Sequence, residues 1–312
     1  MVARASSRTT PIMRLKRSFK RHWILYLMLA VPVVYILTFA YAPMVGLLMA
    51  FEDYRPTRGI LGSKWVGLKH FERFVSMPVF WTLLKNTLAI SLYSLAAGFP
   101  IPIILALALN EVRSSKLKKT VQMVSYAPYF ISTVVMVGIL SQFFSTQFGP
   151  VNIVRRMLGL DAINFMGEQS MFRSLYVWSG VWQGSGYGAV IYIAAIAGID
   201  PQLHEAALID GANRFQRLWH VDVPGILPTV VIMLIMNCGS IMSVGYEKIY
   251  LMQNSLNSSV SEVISTYVYK IGLKDAQYSF SAAVGMFNSV INFILLVLVN
   301  GISRRVSETS LW

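Results

Sequence analysis

Long apolar runs separated by polar stretches organise the whole chain. Six windows, 23–50, 83–109, 121–144, 175–199, 225–245 and 280–302, each approach or exceed the run of about 20 apolar residues that a helix needs to cross a bilayer. The pattern predicts an all-α, polytopic membrane protein with six transmembrane helices. The first run follows the basic stretch "RLKRSFKRH", and "AYA" at 40–42 has the form of a cleavage site. A signal h-region is only about 7–15 residues long, so this much longer run is read as an uncleaved first span. Pro32, Pro43, Pro100 and Pro102 fall in or near spans, where neighbouring helices can satisfy the freed backbone groups. No internal repeat and no appended soluble domain is visible. The expected division is a basic tail over 1–22, a membrane domain over 23–302 and a short tail over 303–312.

Composition agrees with this pattern. The chain is 55% hydrophobic and only 13% charged, with a mean hydropathy of +0.56. Its net charge of +13 could suggest nucleic acid. The basic residues instead cluster beside the spans, and no basic stripe is interleaved with aromatics, so no nucleic-acid partner is expected. Lys and Arg concentrate in the N-terminal tail (Arg4, Arg8, Arg14, Lys16, Arg17, Lys20, Arg21), in the connection "NEVRSSKLKKT", and at Arg304 and Arg305. With six spans these fall on one side, which the positive-inside rule makes cytoplasmic. Both termini and the segment 200–223 then face the cytoplasm. The opposite connections, 52–82, 145–174 and 246–279, are longer and mixed in charge; "QNSLNSSVSE" in the last is turn-rich and reads as a solvated loop or a contact for a soluble partner.

Several chemistries are disfavoured. The single Cys238 allows no intramolecular disulfide, and the four histidines lack zinc-ligand spacing, so no metal site is expected. No serine or cysteine nucleophile has a plausible His–Asp constellation, so no catalytic residue is expected. No G-x-x-x-x-G-K-[ST] loop is present to cradle phosphates, so uphill transport would draw its energy from another polypeptide. None of the fourteen acidic residues falls in mid-span, where a proton or ion relay would place one. A stand-alone ion-coupled or facilitative transporter working through backbone carbonyls stays open. So does a structural membrane protein with a docking segment.

That segment is "EAALIDGANRFQRLWHVDVPGILP", which begins at Glu205. Asp200 can cap a helix whose first residue is Pro201. Gly211 can adopt positive φ and end that helix. "NRFQRLWH" reads as a second short helix with Phe215, Leu218 and Trp219 on one face, Arg214 and Arg217 off it, and Pro224 closing the segment. The small Ala206 and Ala207 beside Glu205 would let another surface approach closely. An amphipathic loop lying on lipid headgroups is the simpler alternative.

Glu205, Ala206, Ala207, Asp210, Gly211, Ala212, Pro224 and Pro228 together resemble the EAA loop of ABC importer permeases. "LMAFEDYRPTRGILGSKWVGLKHFERF" and "LALALNEVRSSKLKKTVQMVSYAPYFIS" resemble type I sugar permeases of the polysaccharide and oligosaccharide branch. The resemblance implies the type I permease fold, with the coupling loop just before the fifth span. It implies half of a heterodimeric path in a bacterial plasma membrane. The partners would be a second permease, two ATP-binding subunits, an extracellular solute-binding protein, membrane lipid and the sugar. ATP and Mg would be held by the ATPase subunits, with no cofactor on this chain. Glu205, Ala206, Ala207, Asp210, Gly211, Arg214 and Arg217 would form the coupling surface, Glu205 pairing with a basic residue of the ATPase.

A sugar path needs aromatic faces with amides or hydroxyls. Trp178, Trp182, Gln183 and Tyr187 offer them in the fourth span, Asn237, Ser240, Ser243 and Tyr246 in and after the fifth, and Asn288 and Asn292 in the sixth. The resemblance favours Tyr187, Asn237 and Ser240. Each has a structural alternative: Trp as interface belt, Asn as helix bridge, and Gly184 with Gly188 as a small-residue helix contact.

Overall fold

The computed structural model describes residues 11–307, with side chains described over 19–305. Arg4, Arg8 and Glu308 of the expected cytoplasmic segments lie outside the described residues. Helix α1 (Pro11–Ile36) leaves helical geometry only at His22 (φ −124°, ψ 25°). It runs on through a wide turn, Leu37–Tyr41, and a tight 3-10 stretch, Ala42–Phe51. A two-stranded antiparallel ribbon follows, β1 (Glu52–Asp53) and β2 (Lys64–Trp65), with Glu52 opposite Trp65. Helices α2 (Val79–Gly98) and α3 (Pro100–Glu111) follow one another across Phe99, whose backbone stays helical. Then come α4 (Ser115–Tyr126), α5 (Thr133–Phe143), α6 (Gln169–Ala197), α7 (Pro201–Ile209), α8 (Val223–Gly239), α9 (Tyr246–Met252) and α10 (Tyr278–Ser307).

The predominantly helical, multi-pass character agrees with the sequence, and the span count needs refining. Among the described residues four stretches are long and apolar enough to cross a membrane: Phe19–Phe51, Val79–Glu111, Arg214–Gly239 and Tyr278–Arg305. A fifth arises if Ser115–Phe130 and Thr133–Phe143 count as one span, but the two are bent by 100°. The expected straight helix over 121–144 is therefore broken. Pro128 sits in a tight turn, and Ser132 restarts the chain in extended geometry, its hydroxyl capping Val135 N–H at 3.4 Å. Helix α6 has 29 residues, which is ample length, but it is too polar to join the four. It packs against α2, α3, α4 and α8, so protein rather than lipid surrounds much of it. A helix in that position needs no continuous apolar surface.

Two further expectations change. The fifth span ends at Gly239, and 240–245 leaves the helix, so Ser243 and Tyr246 do not continue its face. The connection 246–279 is not a solvated loop. Ile249, Met252, Val263, Ile264 and Ile271 from it are buried, and they join two of the three apolar clusters that form the core. Its polar residues mask this contribution in the sequence. Asn257, fully buried, donates to the carbonyls of Met166 (2.9 Å) and Met252 (3.0 Å), pinning the connection to the rest of the chain. The third cluster, Ala106, Ala189, Tyr192, Ile196 and Ile226, lies toward the end that carries α7.

At Gly186 the backbone of α4 closes on α6. A Cβ there would collide with the backbone carbonyl of Ser125. Gly184 and Gly188 were the expected contact pair. Gly184 has open space in front of it and Gly188 packs on the Pro102 ring at 3.3 Å, so Gly186 between them sets the helix spacing. Gly186→Leu should destabilise the protein by about 1–3 kcal/mol through forced separation of α4 and α6. Gly184→Ala should leave stability near wild type. Thermal unfolding of the detergent-purified protein checks both.

Candidate functional site

Two features combine chemistry with exposure: the segment around α7, and a cavity between the helices. In α7 the Asp200 carboxylate accepts from Gln202 N–H at 2.9 Å, with Pro201 at the first helical position. The far end closes as a Schellman motif. Gly211 N–H bonds Leu208 C=O at 3.1 Å, Ala212 N–H bonds Ala207 C=O at 2.9 Å, and Gly211 takes φ +79°. The chain restarts through a reciprocal capping box: Gln216 N–H donates to Asn213 Oδ1 at 2.9 Å and Asn213 N–H to Gln216 Oε1 at 2.7 Å. The sequence signal for this box, N-x-x-Q, was readable in "NRFQ".

The second helix is not a separate piece. Arg214–Arg217 continues through a wide turn, Leu218–Asp222, directly into α8. Pro224 does not close the segment. The wide turn, in which Val223 N–H bonds Leu218 C=O, lets the helix pass a residue that has no N–H to give.

No residue of α7 is buried. Glu205, Ala206, Asp210 and Gly211 are exposed and Ala207 is half-exposed. Among the described residues Glu205 makes no ion pair. Leu203, Leu208 and Ile209 are open beside it, Ile209 at 87% exposure, and so are Phe215 and Trp219 of the next turns. Of the expected apolar face, Phe215 and Trp219 are thus exposed and Leu218 is half-buried. Arg214 is exposed, whereas Arg217 is half-buried and its charge acts on Asp222. Asp222 is itself buried, 3.5 Å from His204 Nε2 on α7, a contact that ties α7 to the base of α8.

The cavity, about 520 Å³, lies between α2, α3, α6, α8 and the break after α8. Of the ten residues expected on a sugar path it gathers four: Gln183, Asn237, Ser240 and Ser243. Gln183 Nε2 donates to Ile131 C=O at 2.8 Å, at the break before α5. Asn237 Nδ2 donates to Met233 C=O at 2.7 Å and Ser240 Oγ to Asn237 C=O at 3.1 Å, both folded back on α8.

The other six lie off this cavity. Trp178 Nε1 donates to Tyr93 Oη at 2.9 Å, and Trp182 lines a separate, apolar depression. Tyr187 stacks on Tyr129 with ring centroids 4.0 Å apart. Tyr246 packs against Tyr269 at 4.9 Å. Asn288 is buried at its Oδ1. Asn292 accepts from Met242 N–H at 2.9 Å and donates to Ser243 Oγ at 2.8 Å, which makes it a bridge to the break after α8.

Sequence reasoning missed Ser91, Ser94, Tyr176 and Lys248, all on the cavity wall. Lys248, on α9, is the one charged residue among those lining it. Its ammonium donates to Tyr176 C=O at 3.0 Å and lies 4.9 Å from the Tyr176 ring centroid. Burial pushes its pKa down to about 8. The signal was its setting: "GYEKIYLM" places a lone lysine among residues whose Ile249 and Met252 are buried.

The comparisons with known proteins agree with this geometry. The family described as "Binding-protein-dependent transport system inner membrane component" matches residues 98–308. The Polygalacturonan/rhamnogalacturonan transport system permease protein YteP of Bacillus subtilis is 43% identical, over 92% of this chain and 90% of that protein. Protein LplB of the same organism is 40% identical over 95% and 93%. Among solved structures, a chain of a bacterial ABC transporter involved in the import of the acidic polysaccharide alginate superposes with a TM-score of 0.86 at 39% identity, over 94% of this chain and 99% of that one. A chain of a bacterial alginate ABC transporter in complex with alginate pentasaccharide-bound periplasmic protein gives 0.87 at 38%, over 96% and 100%. With an exposed, capped α7 at the foot of a continuous α8, and a family match across two thirds of its length, the chain belongs to the binding-protein-dependent transport system inner membrane components.

Proposed function

We propose that this chain is the permease subunit of an ATP-driven ABC importer of oligo- or polysaccharides, and that it forms half of a heterodimeric path. The observation that carries the reading is α7, a helix capped at both ends, none of whose residues is buried by the rest of the chain. Isolated helices this short are marginal in water, so nine residues held by caps and the His204–Asp222 contact, with the rest of their surface open, imply a partner that covers it. Its chemistry suits a protein cleft: Glu205 as a free charge, Ala206 and Ala207 as points of close approach, Leu208 and Ile209 as apolar anchors. A relative 43% identical over 92% of this chain is named as a polygalacturonan/rhamnogalacturonan transport system permease protein, which supports the substrate class.

In this reading α7 faces the cytoplasm, as do both termini, with tails over 1–22 and 303–312. Two ATP-binding subunits hold ATP and Mg and dock on α7 here and on its counterpart in the second permease. An extracellular binding protein delivers the sugar to the opposite face. Closure of the ATPase pair draws the two coupling helices together. Movement at α7 passes to α8 through the His204–Asp222 contact and the continuous helix Arg214–Gly239, which ends at the cavity.

Glu205→Ala should cut ATP-driven uptake about tenfold or more, through loss of a charge-assisted contact, while membrane insertion and thermal stability stay at wild-type level. Uptake at the wild-type rate in proteoliposomes would contradict the docking role. Gly211→Val should also uncouple transport, by a different route. Space around Gly211 is open, but φ +79° strains a β-branched residue by about 1–2 kcal/mol, so the Schellman turn should give way. Reduced co-purification of the ATPase subunit with this variant is the measurement. Wild-type protein purified from its native membrane should bring down one ATPase and one further permease. A lone chain that transports solute would sink the reading.

A further inference from the structure

The charge inside the cavity restricts what can occupy it. Among the residues lining the cavity, Lys248 is the only charged one; the rest are hydroxyls, amides, aromatics, glycines and aliphatics. No carboxylate among the described residues lies within 4.0 Å of its ammonium, and the neighbouring Glu247 is exposed. An ammonium has three N–H donors. One goes to Tyr176 C=O at 3.0 Å. The ring of Tyr176 flanks it. The other side is Gly180 of α6, where a Cβ would stand 3.3 Å from Nζ, so the missing side chain makes room for the ammonium against the helix. Ser91 of α2, also among the lining residues, is more than nine-tenths buried, and its hydroxyl has no hydrogen-bond partner among the described residues. A half-buried cation without a counter-charge costs free energy unless a ligand supplies the anion.

We propose that Lys248 binds a carboxylate of an acidic oligosaccharide in this cavity, so that the permease itself, and not only a delivering protein, selects uronic-acid chains. The proposal rests on the importer reading and adds its substrate class. A purely structural role for Lys248, holding α9 to α6 through the Tyr176 carbonyl, would be indifferent to the charge of the sugar.

The test uses the co-purified complex in proteoliposomes, with its binding protein, ATP, and two labelled probes: trigalacturonate and the uncharged trimer galactotriose. The wild type should import trigalacturonate in preference to galactotriose. Lys248→Gln should lower trigalacturonate uptake at subsaturating concentration by about tenfold or more, the scale of a hydrogen bond to a charged group, and narrow the preference. Lys248→Arg, which keeps the charge, should retain most of the uptake. If the Gln variant does not assemble, Gly180→Val carries the test; it keeps the lysine, fills the notch that seats it, and should produce the same selective loss. Wild-type uptake of trigalacturonate by Lys248→Gln, equal loss in the Gln and Arg variants, or a wild type that imports only the neutral trimer would each overturn the proposal and leave the importer reading in place. A wild-type complex that imports neither sugar also overturns the proposal, whereas import of either sugar by the lone chain without ATP overturns the importer reading itself.

Discussion

A helix interrupted between other helices leaves backbone groups that water cannot reach, and each must find a partner inside the protein. An orphaned backbone group in hydrocarbon costs several kcal/mol. The structure meets this constraint with side-chain amides carried by unbroken helices. Gln183 on α6 donates to the carbonyl of Ile131, where the α4–α5 pair bends by 100°. Asn292 on α10 bonds both the Met242 N–H and the Ser243 hydroxyl, where the chain leaves α8. Straight helices thus stabilise broken ones, and the break after α8 turns Ser240, Ser243 and Gly245 toward the cavity. The cavity follows from breaking helices without orphaning their backbone.

The same constraint explains why α6 is polar. It carries the amide for the bend before α5, the glycine that admits the α4 backbone, and a row of residues on the cavity wall. Each task uses a small or polar side chain, and their sum takes the helix below the apolarity of a lipid-facing span. The 18-residue apolar window of Phe19–Phe51 is the opposite case. None of it is buried within the chain, so its hydrophobicity is addressed to lipid or to a neighbouring subunit.

Much of this was legible in the sequence because it depends on local rules. The Asp200–Pro201 start and the Gly211 stop are cap chemistry, and they hold within the segment whatever surrounds it. Four cavity residues, Gln183, Asn237, Ser240 and Ser243, were found because polar groups in apolar runs must turn inward. What was not legible depends on non-local contacts. Pro224 reads as a stop, yet a wide turn just before it carries the helix onward. Gly184 and Gly188 form the recognisable spacing, yet Gly186 faces the partner backbone. The run 246–279 looks solvated because its apolar residues are scattered, and only the fold brings Ile249, Val263 and Ile271 into the core. Tyr187 looked available to a sugar until the bend before α5 placed Tyr129 against its face.

These local and non-local features meet in α8. From Arg214 to Gly239 the helix spans 26 residues, about 40 Å at 1.5 Å per residue. At one end the buried Asp222 meets His204 of the exposed α7. At the other, Met233 and Asn237 form part of the cavity wall. A single rod of helix thus joins the exposed α7 to the cavity wall. The sequence departs from an uninterrupted apolar span at both ends of this rod, with a wide turn at its foot and a break at its head. The irregular backbone thus lies at the two ends of the helix, while between them it runs on past Pro228, which has no N–H to give.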